Sequence, residues 1–199
     1  MKTHQQNPGW LELDLREHML LANPDETVYE KVMEEKKYFE DKYETEVVTK
    51  TLPYITIANF FAKEILEDRI GRLLQNICNQ QYSFSVTLNN FSGFPPHTVY
   101  IRVQNSQPFK RLTNGLQALE DLLQINGCPP MQLSGKPHMT IAWHLQEDIY
   151  HAAIKEYSAR DFHDQFIVDK LVLLKRDSAH KKWQHVNYFY LPPEKNSYN

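Results

Sequence analysis

Two short segments of the 199-residue chain resemble each other, and this internal repeat constrains the fold more than any other feature. Residues 52–58 have the sequence LPYITIA and residues 136–142 have KPHMTIA, so proline, threonine, isoleucine and alanine coincide. Each segment is followed by a helical pattern, an apolar strand, a turn and another strand, which begins near His97 or His185. The repeat predicts two similar lobes related by an approximate two-fold axis, with the equivalent strands side by side.

Strand and helix patterns alternate along the rest of the chain and predict an α+β fold. Strands are expected at 18–22, 52–60, 82–88, 97–103, 137–144, 166–175 and 184–191, and later helices at 65–77, 112–123 and 149–157. Residues 89–96 are expected to form a turn-rich connection. The loop 127–135, which contains glycine and proline, is the expected boundary between the lobes.

The first helix has a clear start signal in the residues 23–26, which are Asn, Pro, Asp and Glu. Asn23 is expected to cap the helix, Pro24 suits its first turn, and the acidic residues suit the helix dipole. Apolar residues then recur at helical spacing, which predicts a buried stripe of Val28, Val32, Phe39 and Tyr43.

Composition excludes several classes of function. The net charge of −3 argues against a DNA- or membrane-coating role, because such proteins carry broad cationic surfaces. Residues 1–15 form an expected leader before a single bilobal domain at 16–199, and this leader has no apolar core of a signal peptide. With no apolar stretch long enough to span a bilayer, a cytoplasmic protein is expected.

The cysteines give no metal-binding pattern. Cys78 and Cys128 stand far apart, without a CxxC pair or Cys/His spacing, so no structural zinc is expected. A single disulfide between them remains open on sequence grounds, although nothing else indicates an oxidising compartment.

The repeated segments place polar side chains in a pattern suited to phosphate chemistry. Residues two apart on a strand point to the same face, so Tyr54 projects with Thr56, and His138 with Thr140. Threonine hydroxyls can donate hydrogen bonds to phosphate oxygens, and an imidazole can move a proton. A lone His-x-Thr triplet arises easily by chance, but the repeat around it favours a binding site.

Residues 137–142, PHMTIA, resemble the His-x-Thr strand of the 2H phosphoesterases, a superfamily that includes 2′-5′ RNA ligase-like proteins and RNA 2′,3′-cyclic phosphodiesterases. The resemblance extends from about His18 to Leu191 and includes the segment FPPHT at 94–98. It implies a bilobal fold of two antiparallel sheets flanked by helices around a central cleft. It also implies two histidines as general acid and base, two Thr or Ser hydroxyls holding the phosphate, and no metal or cofactor.

The chain departs from this pattern at Tyr54, which stands where the first histidine is expected. A tyrosine is a poor base at neutral pH because its ordinary pKa is near 10, although it can donate a hydrogen bond. Two functions follow as hypotheses: a phosphodiesterase of 2′,3′-cyclic or 2′-5′-linked nucleotides with reduced activity, or an inactive nucleotide- or RNA-binding module. In either case the expected partner is a nucleotide or short RNA phosphate ester. The oligomeric state is not predicted.

Further residues are candidates for the rim of the cleft. His97 and His185 each start a strand, and a turn-end histidine is the simpler interpretation of both. Basic residues around 175–182 could contact an RNA backbone, although a solvated turn is the simpler interpretation. Phe94, Tyr100 and Trp143 could stack on a base, or could simply pack in the core.

Overall fold

The computed structural model describes residues 14–45 and 52–194, and in this part of the chain nine strands form two antiparallel sheets. The strands are β1 (Leu15–Ala22), β2 (Ile55–Lys63), β3 (Phe84–Phe94), β4 (Thr98–Val103), β5 (Gln132–Leu133), β6 (His138–Ala142), β7 (His163–Val168), β8 (Lys170–Arg176) and β9 (Gln184–Tyr190). Sheet A has the order β5-β2-β1-β8-β9, and sheet B has the order β6-β4-β3-β7. The predicted α+β fold with two antiparallel sheets is therefore confirmed.

Five α-helices of the described residues flank the sheets: α1 (Glu26–Tyr43), α2 (Glu67–Asn79), α3 (Gln107–Gly115), α4 (Gln117–Ile125) and α5 (Glu147–Tyr157). Helices α1 and α5 contact strands of sheet B, whereas α2 and α3 contact β9 and β2 of sheet A. One apolar core joins both sheets, since it contains Leu20, Phe60 and Phe189 of sheet A with Ile101 and Phe166 of sheet B. No helix within the described ranges is long and apolar enough to cross a membrane.

The expected lobe boundary at 127–135 is wrong. This loop contributes β5 to sheet A, where Leu133 pairs with Ala58, and then returns to sheet B at β6. Sheet B comes from the middle of the chain, whereas sheet A combines β5 with two strands from each end of the described chain. The two sheets are therefore not the two halves of the sequence. Residues 1–13, which include most of the expected leader, lie outside the described residues, and β1 begins at Leu15.

The chain crosses between the sheets at Asp169, inside the run 166–175 that the sequence predicts as one strand. This run forms the end of β7 in sheet B and most of β8 in sheet A. The carbonyl of Asp169 accepts a hydrogen bond from the Leu191 amide, which anchors the crossing. No glycine or proline marks the change of sheet, so the apolar pattern continues across it.

Three local expectations also differ from the structure. Asp25, not Asn23, caps α1, because its side chain accepts from the Val28 amide at 2.9 Å. The expected helix at 112–123 is two helices, α3 and α4, which meet at Leu116. The expected turn at 89–96 is largely strand, since β3 continues to Phe94.

Both repeated segments carry a β-bulge at the same aligned position. On β2, the register passes from Thr56 to Ala58, which leaves Ile57 as the extra residue. On β6, it passes from Thr140 to Ala142, which leaves Ile141 as the extra residue. Ile57 and Ile141 coincide in the sequence repeat, and bulges often occur next to active sites, where they redirect side chains.

Candidate active site

The two motif strands meet where the two sheets meet. Strands β2 and β6 are in contact, but they belong to different sheets and share no ladder of hydrogen bonds. The expectation of side-by-side equivalent strands is therefore correct for proximity and wrong for pairing. Tyr54 and Thr56 lie at the start of β2, and His138 and Thr140 lie at the start of β6.

A cleft of about 1550 Å³ lies over the open face of sheet A. Strand register arranges its floor in rows: Thr56, Leu21, Val172 and Tyr188 lie side by side, followed by Asn59, Met19, Leu174 and His185. Trp143, which directly follows β6, and residues 129–132 also belong to the lining. The cleft therefore joins the β2 motif to the far edge of sheet A.

Tyr54 lies in this cleft, half-buried against the apolar cluster of Met19, Leu21 and Val172. Burial raises the pKa of its phenol, and Arg176 opposes this shift. The phenol therefore keeps its proton at neutral pH and can donate but cannot act as a base. Among the described residues, its hydroxyl has no hydrogen-bond partner.

His138 is held in a defined orientation by its neighbours on sheet B. Its Nδ1–H donates to the Lys136 carbonyl at 2.7 Å, because a carbonyl oxygen can only accept. Its ring lies 5.0 Å from the rings of both Phe94 and Tyr100, edge-on to Phe94. In the neutral ring this arrangement leaves Nε2 unprotonated and able to accept a proton.

The surroundings of His138 also favour the neutral imidazole. Burial lowers the pKa of His138, the hydrogen bond to the Lys136 carbonyl raises it, and the Lys136 ammonium lowers it again. That ammonium is fixed by a 2.8 Å hydrogen bond to the Tyr100 hydroxyl and lies over the rings of Phe94 and Tyr100. Phe94 and Tyr100 therefore pack against the histidine and its lysine rather than standing free as base platforms.

The four motif residues do not all line this cleft. Tyr54 and Thr56 line the cleft. His138 and Thr140 are not among the described residues that line it. A phosphate in contact with both motifs must therefore lie at the junction of β2 and β6, at the edge of the cleft. Within the described residues, neither the Thr56 nor the Thr140 hydroxyl has a hydrogen-bond partner, so both are available to a ligand.

The two rim histidines have different positions. His185 lines the cleft on β9, three strands away from β2. His97 is exposed before β4 and is not among the described residues that line the cleft; its carbonyl accepts from the Leu145 amide. They are not structural equivalents, because β4 pairs with a motif strand and β9 does not.

Sequence patterns did not identify several residues of the cleft. Asn59 faces it because the bulge at Ile57 changes which side chains share a face, so Ala58 is buried instead. Trp183 and Tyr188 belong to the far side, which only the strand order reveals. The one available sequence signal was Asn59 itself, a polar residue within an apolar strand.

Neither a metal-binding cluster nor a disulfide is present among the described residues. The described part of the chain contains no group of three or more His, Cys, Asp or Glu residues that could hold a metal ion. Cys78 and Cys128 are both buried free thiols, and burial raises the pKa of Cys78 to about 12.

Comparison with solved structures places the fold among known ones. TT0787 of Thermus thermophilus superposes with a TM-score of 0.68 at 19% identity, covering 89% of this chain and 99% of its own. Escherichia coli LigT in complex with 3′-AMP gives 0.64 at 14% identity, with 89% and 98% covered. The MHV ns2 PDE domain gives 0.52 at 15% identity, with 80% and 99% covered. These similarities establish the shared fold.

Sequence comparison identifies the family. No curated protein sequence matches the chain. The family profile described as the 2′-5′ RNA ligase superfamily matches residues 24–180, which include both motif strands and most of both sheets. This agrees with the resemblance of the His138 strand to the 2H phosphoesterases, and the chain belongs to the 2′-5′ RNA ligase superfamily.

Proposed function

We propose that the chain is a phosphodiesterase acting on a 2′,3′-cyclic or 2′-5′-linked nucleotide phosphate, with His138 as its proton-transfer residue. The observation that carries this proposal is the state of His138. Its Nδ1–H is held by the Lys136 carbonyl, its pKa is lowered by burial, and its Nε2 is free to accept a proton. This combination is what a general base requires at neutral pH.

Each motif residue has a role in hydrolysis of a cyclic phosphate. Thr56 and Thr140 donate hydrogen bonds to the phosphate oxygens. Nε2 of His138 takes a proton from the attacking water as the new phosphorus–oxygen bond forms. The bond from phosphorus to one ribose oxygen breaks, and this oxygen receives a proton from Tyr54. The imidazolium then returns a proton to the phenolate through solvent.

Tyr54 makes this a slower enzyme than one with two histidines. A positioned acid or base typically contributes about 10²–10⁴-fold to the rate. The phenol of Tyr54, whose pKa is raised by burial, holds its proton more tightly than an imidazolium. Turnover is therefore expected to be reduced.

Nucleotide complexes of a structural neighbour support the choice of ligand. Escherichia coli LigT has been crystallised with 3′-AMP, with ATP and with NADP+. As part of the proposal, the present chain binds ligands of the same class, which are nucleotides with phosphate groups.

A second candidate is a nucleotide- or RNA-binding module without turnover. The packing of Tyr54 against Met19, Leu21 and Val172 favours it, because this contact stabilises the phenol as part of the cleft floor. Such a protein would keep Thr56, Thr140 and the cleft for binding.

Hydrolysis of 2′,3′-cyclic nucleotides and 2′-5′-linked oligonucleotides tests both candidates. We expect His138→Ala to lower kcat/KM by about 10²–10⁴-fold, and Tyr54→His to raise it. His97→Ala is the matched control, because this histidine is exposed and lies outside both motif strands. Activity should fall on the acid side as His138 becomes protonated, with a midpoint below its ordinary pKa of 6.5.

Two outcomes would contradict this proposal. Full activity in His138→Ala would exclude this residue as the base. Nucleotide binding without turnover by the wild type, together with turnover in Tyr54→His, would identify a binding module inactivated at residue 54.

A further inference from the structure

We propose that the far side of the cleft, formed by Trp183, His185 and Tyr188, binds the base of a second nucleotide. The preferred ligand is then a chain of at least two nucleotides whose terminal phosphate lies at the motif residues. This inference rests on the proposed function for the position of that phosphate, and extends it to the length of the ligand.

The width of the floor separates the two ends of the cleft. Thr56 on β2 and Tyr188 on β9 end one row of neighbouring residues, with Leu21 and Val172 between them. Strands in a sheet lie about 4.8 Å apart, so three spacings place these positions roughly 14 Å apart along the sheet. Successive bases in a stacked strand lie about 3.4 Å apart. The distance from Thr56 to Tyr188 is therefore several times the spacing of one stacked base.

The volume of the cleft leads to the same conclusion. Pockets for drug-sized ligands, a class that includes single nucleotides, typically enclose about 300–1,000 Å³. The cleft over sheet A encloses about 1550 Å³. A single nucleotide bound at Thr56 would leave a large part of it empty.

The chemistry of the far side suits a base. The floor between the two ends is apolar, with Met19, Leu21, Val172 and Leu174. Tyr188 is 43% exposed although it lies in the cleft, and its ring is 4.2 Å from that of His185. Exposed aromatic rings in a groove are stacking surfaces for bases of single-stranded nucleic acids.

Charge at this side suits the phosphate that joins the two nucleotides. Arg176 lies 4.4 Å from the Trp183 ring but is paired with Glu17 at 2.5 Å, which offsets its charge. Lys182 is exposed and lines the cleft, and it forms no ion pair or hydrogen bond with the described residues. Its ammonium group can therefore bind a phosphate without first breaking an ion pair with an acidic residue of the described chain.

Tryptophan fluorescence provides a direct binding test. Trp143 and Trp183, the two tryptophans in the described part of the chain, both line the cleft. The protein is titrated separately with three ligands. These are adenosine 3′-monophosphate, the 3′-phosphorylated diadenylate, and the same dinucleotide with an abasic 5′ unit. We expect the diadenylate to bind at least about 5-fold more tightly than the mononucleotide, since stacking of one base contributes about 1–3 kcal/mol. The abasic dinucleotide should lose this gain.

Tyr188→Leu is the decisive variant, because it removes an exposed ring and leaves both tryptophans in place. It should abolish the gain for the diadenylate while leaving the Kd of the mononucleotide unchanged. Tyr82→Leu is the matched control, since Tyr82 is 47% exposed between α2 and β3 and is not part of the cleft lining.

The outcomes separate this inference from the proposed function. Equal affinity for mono- and dinucleotide, or a gain that persists in the abasic ligand or in Tyr188→Leu, would overturn the second base site. If no nucleotide binds at all, the proposed function fails together with the inference. Binding with the expected length dependence but without hydrolysis supports the inference and rejects only the enzyme.

Discussion

At the scale of single residues, a buried lysine supports the motif strand that carries His138. Lys36 on α1 is fully buried, and its Nζ donates to the Ile141 carbonyl at 3.2 Å. Ile141 is the bulge residue of β6, and in the repeat its counterpart Ile57 has a carbonyl that accepts from the Ser134 amide. Each bulge carbonyl therefore has a hydrogen-bond donor: on β6 it is the Lys36 side chain from α1, and on β2 it is the Ser134 amide, which directly follows β5.

This lysine makes stability depend on pH. Burial lowers the pKa of Lys36 from 10.5 to about 8, so between these values the unfolded chain binds the proton and the folded chain does not. Stability then rises with pH across this window. Relative to Lys36→Met, the wild type should gain about 2 kcal/mol of unfolding free energy from pH 7 to 9.5.

Urea denaturation of both proteins at several pH values measures this difference. Lys37→Met serves as the control, because Lys37 is the exposed neighbour of Lys36 on α1. A constant difference between the wild type and Lys36→Met across this pH range would mean that Lys36 titrates as in the unfolded chain.

At the scale of secondary structure, the start of α1 depends on one side chain among several candidates. Asp25 accepts a hydrogen bond from the Val28 amide, whereas Asn23 faces the cleft and caps no helix. We expect Asp25→Ala to lower the unfolding free energy by about 1 kcal/mol. Asn23→Ala should change it by less than about 0.5 kcal/mol. Thermal or urea unfolding of the pair measures this, and the reverse order of effects would contradict the assignment of the cap.

At the scale of the whole molecule, one continuous core predicts one cooperative unit. Phe189 of sheet A and Phe166 of sheet B are 1% and 2% exposed and belong to the same apolar cluster. Replacing either with alanine should cost about 3–5 kcal/mol. Because the sheets share a core, both variants should shift a single transition in which far- and near-ultraviolet circular dichroism coincide. Two separated transitions in either variant would show that the sheets unfold independently.

Local patterns were sufficient for most elements and for the shared face of the side chains within each motif. The alternation of Tyr54 with Thr56 and of His138 with Thr140 depends only on strand geometry, which a few consecutive residues establish. The apolar stripe of α1 was predicted in the same way, but its gap at Lys36 carried no indication that a lysine would be buried there.

The α+β class, the repeat, the family resemblance and the residues proposed to bind phosphate can all be predicted from the sequence alone, because each depends on neighbouring or aligned positions. Only the fold sets which strands pair, and through them the composition of sheet A, the crossing at Asp169 and the placement of Tyr188 three strands from Thr56 in the same row. It also decided that Lys36 meets the bulge at Ile141. These features depend on contacts between segments far apart in the chain, whose free energy comes from shared burial and hydrogen bonding that no local pattern records.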